Sequence, residues 1–313
     1  MLSSAAAARL AAGDERIVIT GASGWLGLAT IDLLRDALGS RFDNRVALFG
    51  SSARPLILRD GDTVQQHPLQ DLPRLPERPT WLLHFAFLTK DRAETLSEEA
   101  YRAANRLISD TVSGALDRIG TTALFLASSG AAQKADDHSA SPAMRLYGSM
   151  KRDDEALFAH WAEAADRRAV IGRIFNIAGP YINKHQAYAL ASFILDAQAG
   201  HPVRVTAPRP VIRSYVAIRE LVSLCVQLLA TDGAEVVRFD SGGEELELGD
   251  VAAIVADVLG APGVERAPIT VPEADRYVGD VARYAALLRT HQVDPVPFHE
   301  QVLETASFLS GLR

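Results

Sequence analysis

Tyr147 and Lys151, in the segment YGSMK, stand four residues apart. On a helix that spacing projects both side chains from one face. An ammonium beside a phenol stabilises the phenolate, drawing its pKa down from about 10 toward the range where the hydroxyl exchanges protons near neutrality. Ser129, at the end of an apolar run, adds a hydroxyl able to hold a carbinol or carbonyl oxygen while Tyr147 takes or returns its proton. A Tyr and a Lys four apart also occur by chance on helices that do no chemistry, and the pair alone leaves that open. Lys151 is, however, one of only four lysines in a chain that otherwise uses arginine, which argues against a casual surface role.

The elements around these residues have the rhythm of a ligand-binding α/β fold. Residues 16–20, RIVIT, form a short β-branched run, and Leu26, Ala29, Leu33, Leu34 and Leu38 recur at helical spacing, so TGASGWLG at residues 20–27 is a strand-to-helix turn. Gly21 lets the chain leave the strand, Gly24 lets the backbone approach a pyrophosphate, and Gly27 permits tight helix–strand packing; Ser23, Trp25 and Leu26 complete the loop. N–H groups at the helix start suit an anion. A glycine-rich turn without a ligand is the alternative. The next strand, RVALF at residues 45–49, runs into Gly50, Ser51, Ser52 and Arg54, which offer hydroxyls and a guanidinium but no carboxylate. The cofactor expected is NAD or NADP, and this loop tilts the choice toward NADP. Arg54 is equally readable as a solvated loop arginine.

LILRDGDTVQQ reads as a hairpin around Asp60 and Gly61, and TWLLHFAF at residues 80–87 as a strand buried on both faces, with His84 a core histidine. A helix over residues 97–119, entered by a capping box of Thr95 and Glu98, precedes a strand at 123–127 that ends in Ser128 and Ser129. A helix over 146–165 and a strand over 169–175 follow. Alternation of this kind predicts a Rossmann-like doubly wound parallel sheet with its ligand crevice at the carboxyl ends of the strands, so the glycine turn and Ser129 share one edge. The domain expectation is a disordered extension over 1–15, an NAD(P)-binding domain over 16–180 to which 212–240 return, and a smaller substrate lobe from 181–211 and 241–313.

With 313 residues, 48% of them apolar, the chain can bury a substantial core. Its net charge of −7 speaks against a nucleic-acid or anionic-membrane partner. Cys225 is the sole cysteine, so intrachain disulfides and thiolate metal clusters are excluded, no metal is expected, and a reducing cytoplasm fits.

TGASGWLG, HFAF, Asn105, the serine pair 128–129, YGSMK and RIFNIAGP at residues 173–180, in that order and spacing, resemble the extended short-chain dehydrogenase/reductase family. IRSYV at 212–216, SGG at 241–243 and YVGD at 277–280 resemble its NAD-dependent nucleotide-sugar epimerase/dehydratase branch. The resemblance implies that Tyr147 is the acid/base, that Lys151 orients the cofactor ribose, that Ser129 binds the reacting oxygen and that Asn105 belongs with them. It also implies that Leu69, Phe85, Ala86 and Phe175 line the cofactor, and that Asn176 and Arg213 contact the nucleotide diphosphate. A homodimer through the helices near 97–119 and 146–165 is implied as well.

Three departures qualify this. Gly130 and Ala131 follow Ser129 where 4,6-dehydratases carry an acidic pair, so dehydration by that route is not expected. His67, Pro68 and Leu69 stand where an adenine-contacting Asp is common, and Arg219 and Glu220 where acidic residues usually follow the arginine motif. The expectation is an epimerase or ketoreductase acting on a nucleotide sugar. The rivals are a reductase of a non-nucleotide carbonyl compound and a non-catalytic dinucleotide sensor.

Overall fold

In the computed structural model, which describes residues 1–311, a helix precedes the first strand. α1 (Ser4–Ala12) is capped by the Ser3 hydroxyl, which accepts from the Ala6 N–H, and it buries Ala6 and Leu10. The disordered extension expected there is thus replaced by a packed helix. Alanine favours the helical state, and distant partners fix it: Arg45 and Arg41 donate to the Leu10 carbonyl, Arg9 donates to the Ala230 carbonyl, and the Ser3 N–H donates to the Ser223 hydroxyl.

The chain divides into two units. The first comprises residues 1–174 and 223–239, the second residues 175–222 and those from 240 onward. In chain order the first contains β1 (Arg16–Thr20), α2 (Trp25–Leu38), α3 (Phe42–Arg45), β2 (Val46–Gly50), β3 (Arg54–Ile57), β4 (Thr63–Pro68), β5 (Thr80–His84), α4 (Lys90–Thr95), α5 (Glu98–Ser113), β6 (Thr121–Ser129), α6 (Pro142–Ala164) and β7 (Arg168–Ile174). The eight-stranded sheet has the order β11-β7-β6-β5-β1-β2-β4-β3, where β11 is Val236–Asp240. The pairs β4–β2, β2–β1, β1–β5, β5–β6 and β6–β7 are parallel, and β3 closes an antiparallel hairpin on β4 through the Asp60–Gly61 turn. This is the Rossmann-like α/β arrangement expected. β1 and β5 are buried at every position, as near-continuous apolar runs in a covered parallel sheet should be. Val18, Leu82, Leu124 and Ile171 of adjacent strands pack with Val112, Leu116 and Phe158 in one core.

Two helix starts differ from the sequence expectation. Ser97, not Thr95, caps α5, its hydroxyl accepting from the Ala100 N–H, while Thr95 ends the short α4. α6 begins earlier, at Pro142, capped by Ser141 with proline in the first turn.

The second unit contains β8 (Asn176–Ala178), α7 (Ala189–Gln198), β9 (Val203–Val205), β10 (Val211–Ala217), β12 (Glu244–Glu247), α9 (Leu248–Leu259), β13 (Val264–Arg266), β14 (Asp275–Tyr277), α10 (Val281–Thr290) and α11 (Phe298–Ser310). α8 (Ile218–Leu229) crosses the boundary. β10 pairs with β8, β12 and β14. That pairing explains why the boundary falls at residue 175 and within α8 rather than at 180 and 212: β8 and β10 belong to one small sheet. No helix among the described residues is long and apolar enough to cross a membrane.

Candidate functional site

The glycine turn is built as a backbone cradle. Thr20 ends β1, and Gly21 follows with φ +73°. A Cβ on Gly21 would lie 2.6 Å from the Ala86 N, and one on Gly27 would lie 2.4 Å from the Gly21 carbonyl oxygen. No side chain caps the start of α2, whose N-cap is the exposed Gly24. A pyrophosphate fits such a place, where backbone donors at a helix start have no side-chain cap. Phe85 and Ala86 sit beside the turn, since the Phe85 N–H donates to the Thr20 carbonyl at 3.0 Å. Ser51 and Ser52 are exposed beyond β2, and Arg54 is exposed at the start of β3. Buried Gln66 holds this loop by donating to the Ser52 carbonyl. Leu69, which follows β4, is 7% exposed and packs in the core beside Phe49.

α6, which carries Tyr147 and Lys151, packs on the turn that follows Ser129 at the end of β6. Ser129 ends β6, and its hydroxyl accepts from the Ala131 N–H at 3.2 Å. Ala131 in turn abuts Gly148, next to Tyr147: a Cβ on Gly148 would lie 2.1 Å from the Ala131 carbonyl oxygen. Lys151, one turn further along α6, is 5% exposed and donates from Nζ to the Ala127 carbonyl at 2.8 Å. Burial lowers its pKa to about 8, against the opposing charges of Asp154 and Glu155. An ammonium so placed sits at the border of its charged range, where a neighbouring anion is strongly felt.

Three neighbours were not assigned from sequence. The Phe87 ring lies 3.8 Å from Lys151 Nζ and meets the Tyr147 ring edge-on at 5.8 Å. Glu155, four residues after Lys151, accepts from the Ser128 hydroxyl and from both Nε and Nη2 of Arg173. Its helical spacing from Lys151 was a usable signal. Asp154 accepts from the Ser109 hydroxyl at 2.6 Å, and burial raises its pKa.

Asn105 is fully buried and works through the backbone: its Oδ1 accepts from the Leu88 N–H at 2.8 Å, while the Tyr101 hydroxyl donates to the Leu88 carbonyl. The structure thus assigns Asn105 to holding the segment after β5. His84 is a core histidine, with Nδ1 2.7 Å from the Thr20 hydroxyl oxygen. Burial first, and the Lys151 charge second, lower its pKa to about 3, so it is neutral at ordinary pH.

In the second unit, the Phe175 N–H donates to the Ser241 hydroxyl and the Phe175 ring lies 4.7 Å from Tyr277, which joins the SGG and YVGD segments. Asn176 Nδ2 donates to the Ser214 carbonyl at 3.1 Å. Arg213 donates to the Asp275 carboxylate at 2.7 Å and to the Ile212 and Asp275 carbonyls. Arg219 pairs with Glu300 and Glu304 of α11, and Glu220 accepts from the Val296 N–H, so both brace this unit.

The model of the NAD dependent epimerase/dehydratase family matches residues 17–239. The chain belongs to that family. It is therefore an enzyme of the extended short-chain dehydrogenase/reductase type. Solved structures of the same fold include UDP-N-acetylglucosamine 4-epimerase from Methanobrevibacter ruminantium M1 in complex with UDP-N-acetylmuramic acid, at 18% identity and TM-score 0.75, covering 96% of this chain and 99% of that one. The UDP-glucose 4-epimerase of Thermus thermophilus in complex with NAD matches at 23% identity and TM-score 0.68, over 95% of this chain and 100% of that one. A dTDP-glucose 4,6-dehydratase double mutant from Streptomyces venezuelae with NAD bound matches at 19% identity and TM-score 0.67, over 94% and 97%. No curated protein matches the chain.

Proposed function

We propose that this family member is an NAD(P)-dependent nucleotide-sugar epimerase or ketoreductase. The observation that carries the reading is the buried Lys151 ammonium on the same helix face as Tyr147, with Ser129 at the neighbouring strand end. The glycine turn, Ser51, Ser52 and Arg54 would hold the dinucleotide, and when bound it supplies the acceptor and donor of hydride. Ser129 holds the reacting oxygen by a hydrogen bond. Tyr147 takes the proton from a sugar carbinol, or returns it to the ketone, and Lys151 stabilises the phenolate left behind. Asn105 ties the segment after β5 to α5.

The absence of a carboxylate from the loop after β2 supports NADP over NAD, since a 2′-phosphate is repelled by an acidic residue and attracted by Arg54. Arg213 and Asn176 supply the groups for a nucleoside diphosphate. Asp275 is half exposed, so a diphosphate can replace it on the guanidinium. Leu107, 64% exposed on α5, supports a homodimer through that helix. A second reading, reduction of a non-nucleotide carbonyl compound, is favoured by the pairing of Arg213 with Asp275, which leaves that arginine a structural task.

Tyr147→Phe tests the chemistry. With a panel of UDP and dTDP sugars, turnover falls at least ~100-fold, a size typical of losing an acid/base group, while NADH or NADPH affinity stays within about twofold. A Tyr147→Phe protein with full turnover would sink the proposal. Binding of NADPH with no affinity for any nucleoside diphosphate would move the assignment to the second reading.

A further inference from the structure

We propose that Phe87 is a positioning residue for the Tyr147–Lys151 pair: its ring face seats the Lys151 ammonium and its edge contact braces the Tyr147 phenol. The inference rests on reading Tyr147 and Lys151 as the proton-transfer pair. Three observations carry it. The ring centroid is 3.8 Å from Nζ, which is direct contact. The Phe87 and Tyr147 rings meet at an interplanar angle of 69° with centroids 5.8 Å apart, an edge-to-face geometry. And Phe87 is not free to drift, because its neighbour Leu88 is held at both N–H and carbonyl by Asn105 and Tyr101 of α5.

The physical need is plain. Lys151 is 5% exposed and, among the described residues, donates to the Ala127 carbonyl. Taking an ammonium out of water disfavours its charged form, and the negative face of an aromatic ring returns part of the lost stabilisation. Asp154 and Glu155 from α6 oppose the effect of burial on the ammonium, the ammonium in turn lowers the pKa of neutral His84 from β5, and Tyr147 bears on Tyr101 of α5. Arg173 from β7 occupies Glu155, so that carboxylate is shared. Among the described residues, no other aromatic face meets Nζ. A leucine at position 87 would fill the space and supply no such face.

The test uses the four lysines. The full chain carrying ε-¹³C-lysine gives four side-chain signals, with Lys151 assigned by loss in Lys151→Arg, and each is titrated by NMR. The midpoint expected for Lys151 in the unmodified protein is about 8. In Phe87→Leu its midpoint falls by about one unit, and in Phe87→Tyr it stays within a few tenths of a unit. Pentafluorophenylalanine incorporated at position 87 keeps the ring's shape and reverses its quadrupole, so it also lowers the midpoint; this arm answers the question if the leucine variant fails to fold. Unmoved midpoints with leucine and with the fluorinated ring overturn the proposal. Addition of NADPH or NADH to the unmodified protein is a separate arm: a shift of the Lys151 signal supports the assignment of the pair. Failure of both cofactors to shift it counts against the proposed function, while the titration in their absence still decides the role of Phe87.

Discussion

Gly24 and Gly27 sit three residues apart in one turn, yet alanine at the two positions should fail in different ways. At Gly27 the added Cβ would lie 2.4 Å from the Gly21 carbonyl oxygen and 2.7 Å from that of Ala22, where ordinary contact begins at 3.4 Å. Both neighbours are backbone, so the first turn of α2 must retreat by about 1 Å, the difference between 3.4 and 2.4. Overpacking of this kind costs about 2 kcal/mol, which lowers Tm by roughly 4–8 °C in a unit of this size. A displacement of about 1 Å at a binding loop also costs on the order of 100-fold in function. At Gly24 the Cβ would meet only the Gly21 oxygen at 3.2 Å, a few tenths of an ångström too close, and the stability cost should stay under about 0.5 kcal/mol. What Gly24→Ala puts in the way is a ligand. Thermal melts followed by circular dichroism, together with NADPH and NADH titrations by fluorescence, read both quantities. The expected result is loss of Tm and of affinity in Gly27→Ala, and loss of affinity alone, tenfold or more, in Gly24→Ala. A Gly24→Ala protein with unchanged Tm and unchanged affinity for both cofactors would refute the placement of the pyrophosphate on this turn. An unchanged Tm in Gly27→Ala would refute the packing argument.

Glu220 is 4% exposed, and burial raises its pKa to about 7 against the lowering effects of the Val296 N–H, the Tyr284 hydroxyl and Arg219. A carboxyl whose folded pKa is raised contributes stability that is fully present below its unfolded pKa and lost as pH climbs through the folded one. Between pH 4.5 and about 7 this group therefore removes up to about 3 kcal/mol, and Glu220→Gln, which keeps an acceptor for Val296, should be the more stable protein above pH 7; urea melts at pH 5 and 8 check the sign. Arg213→Ala should weaken a nucleoside diphosphate by about tenfold or more in isothermal titration while leaving cofactor affinity alone. No change there would assign the arginine to Asp275.

The strands of the large sheet were readable because a parallel sheet covered on both faces needs unbroken apolar runs, and IVI, WLLH and ALFLA are such runs. The spacing of Tyr147 and Lys151 was readable for the same kind of reason, a local period imposed by a helix. What sequence concealed depends on partners far along the chain. α1 is held by Arg41, Arg45 and Ala230, none of which its alanine-rich sequence announces. Arg213 carries a motif, but Asp275, its partner, is 62 residues away. Phe87 was legible only as one more apolar residue at the end of a strand, because its contact to Lys151 is made between segments that the order of residues leaves unconnected. Leu69 and Asn105 show the converse. The resemblance names both, and neither the packing of the Leu69 side chain beside Phe49 nor the hydrogen bond that Asn105 accepts from the Leu88 N–H could be read from their spacing.

The discontinuity of the first unit bears on how the enzyme is made. β11 lies beyond β7 in the sheet, and the Ala169 N–H donates to the Glu235 carbonyl. A ribosome adding about 5–20 residues per second needs several seconds between finishing β7 and delivering its neighbour. Through that interval β7, with Ala169, Val170 and Ile171 at its centre, is an uncovered edge that can recruit a strand from another nascent chain. α1, which emerges before β1, must wait longer still for Ser223 and Ala230. Expression level and growth temperature should thus govern soluble yield more strongly than the stability of the finished protein does, and cooling, which slows encounters between half-made chains, is the lever to use.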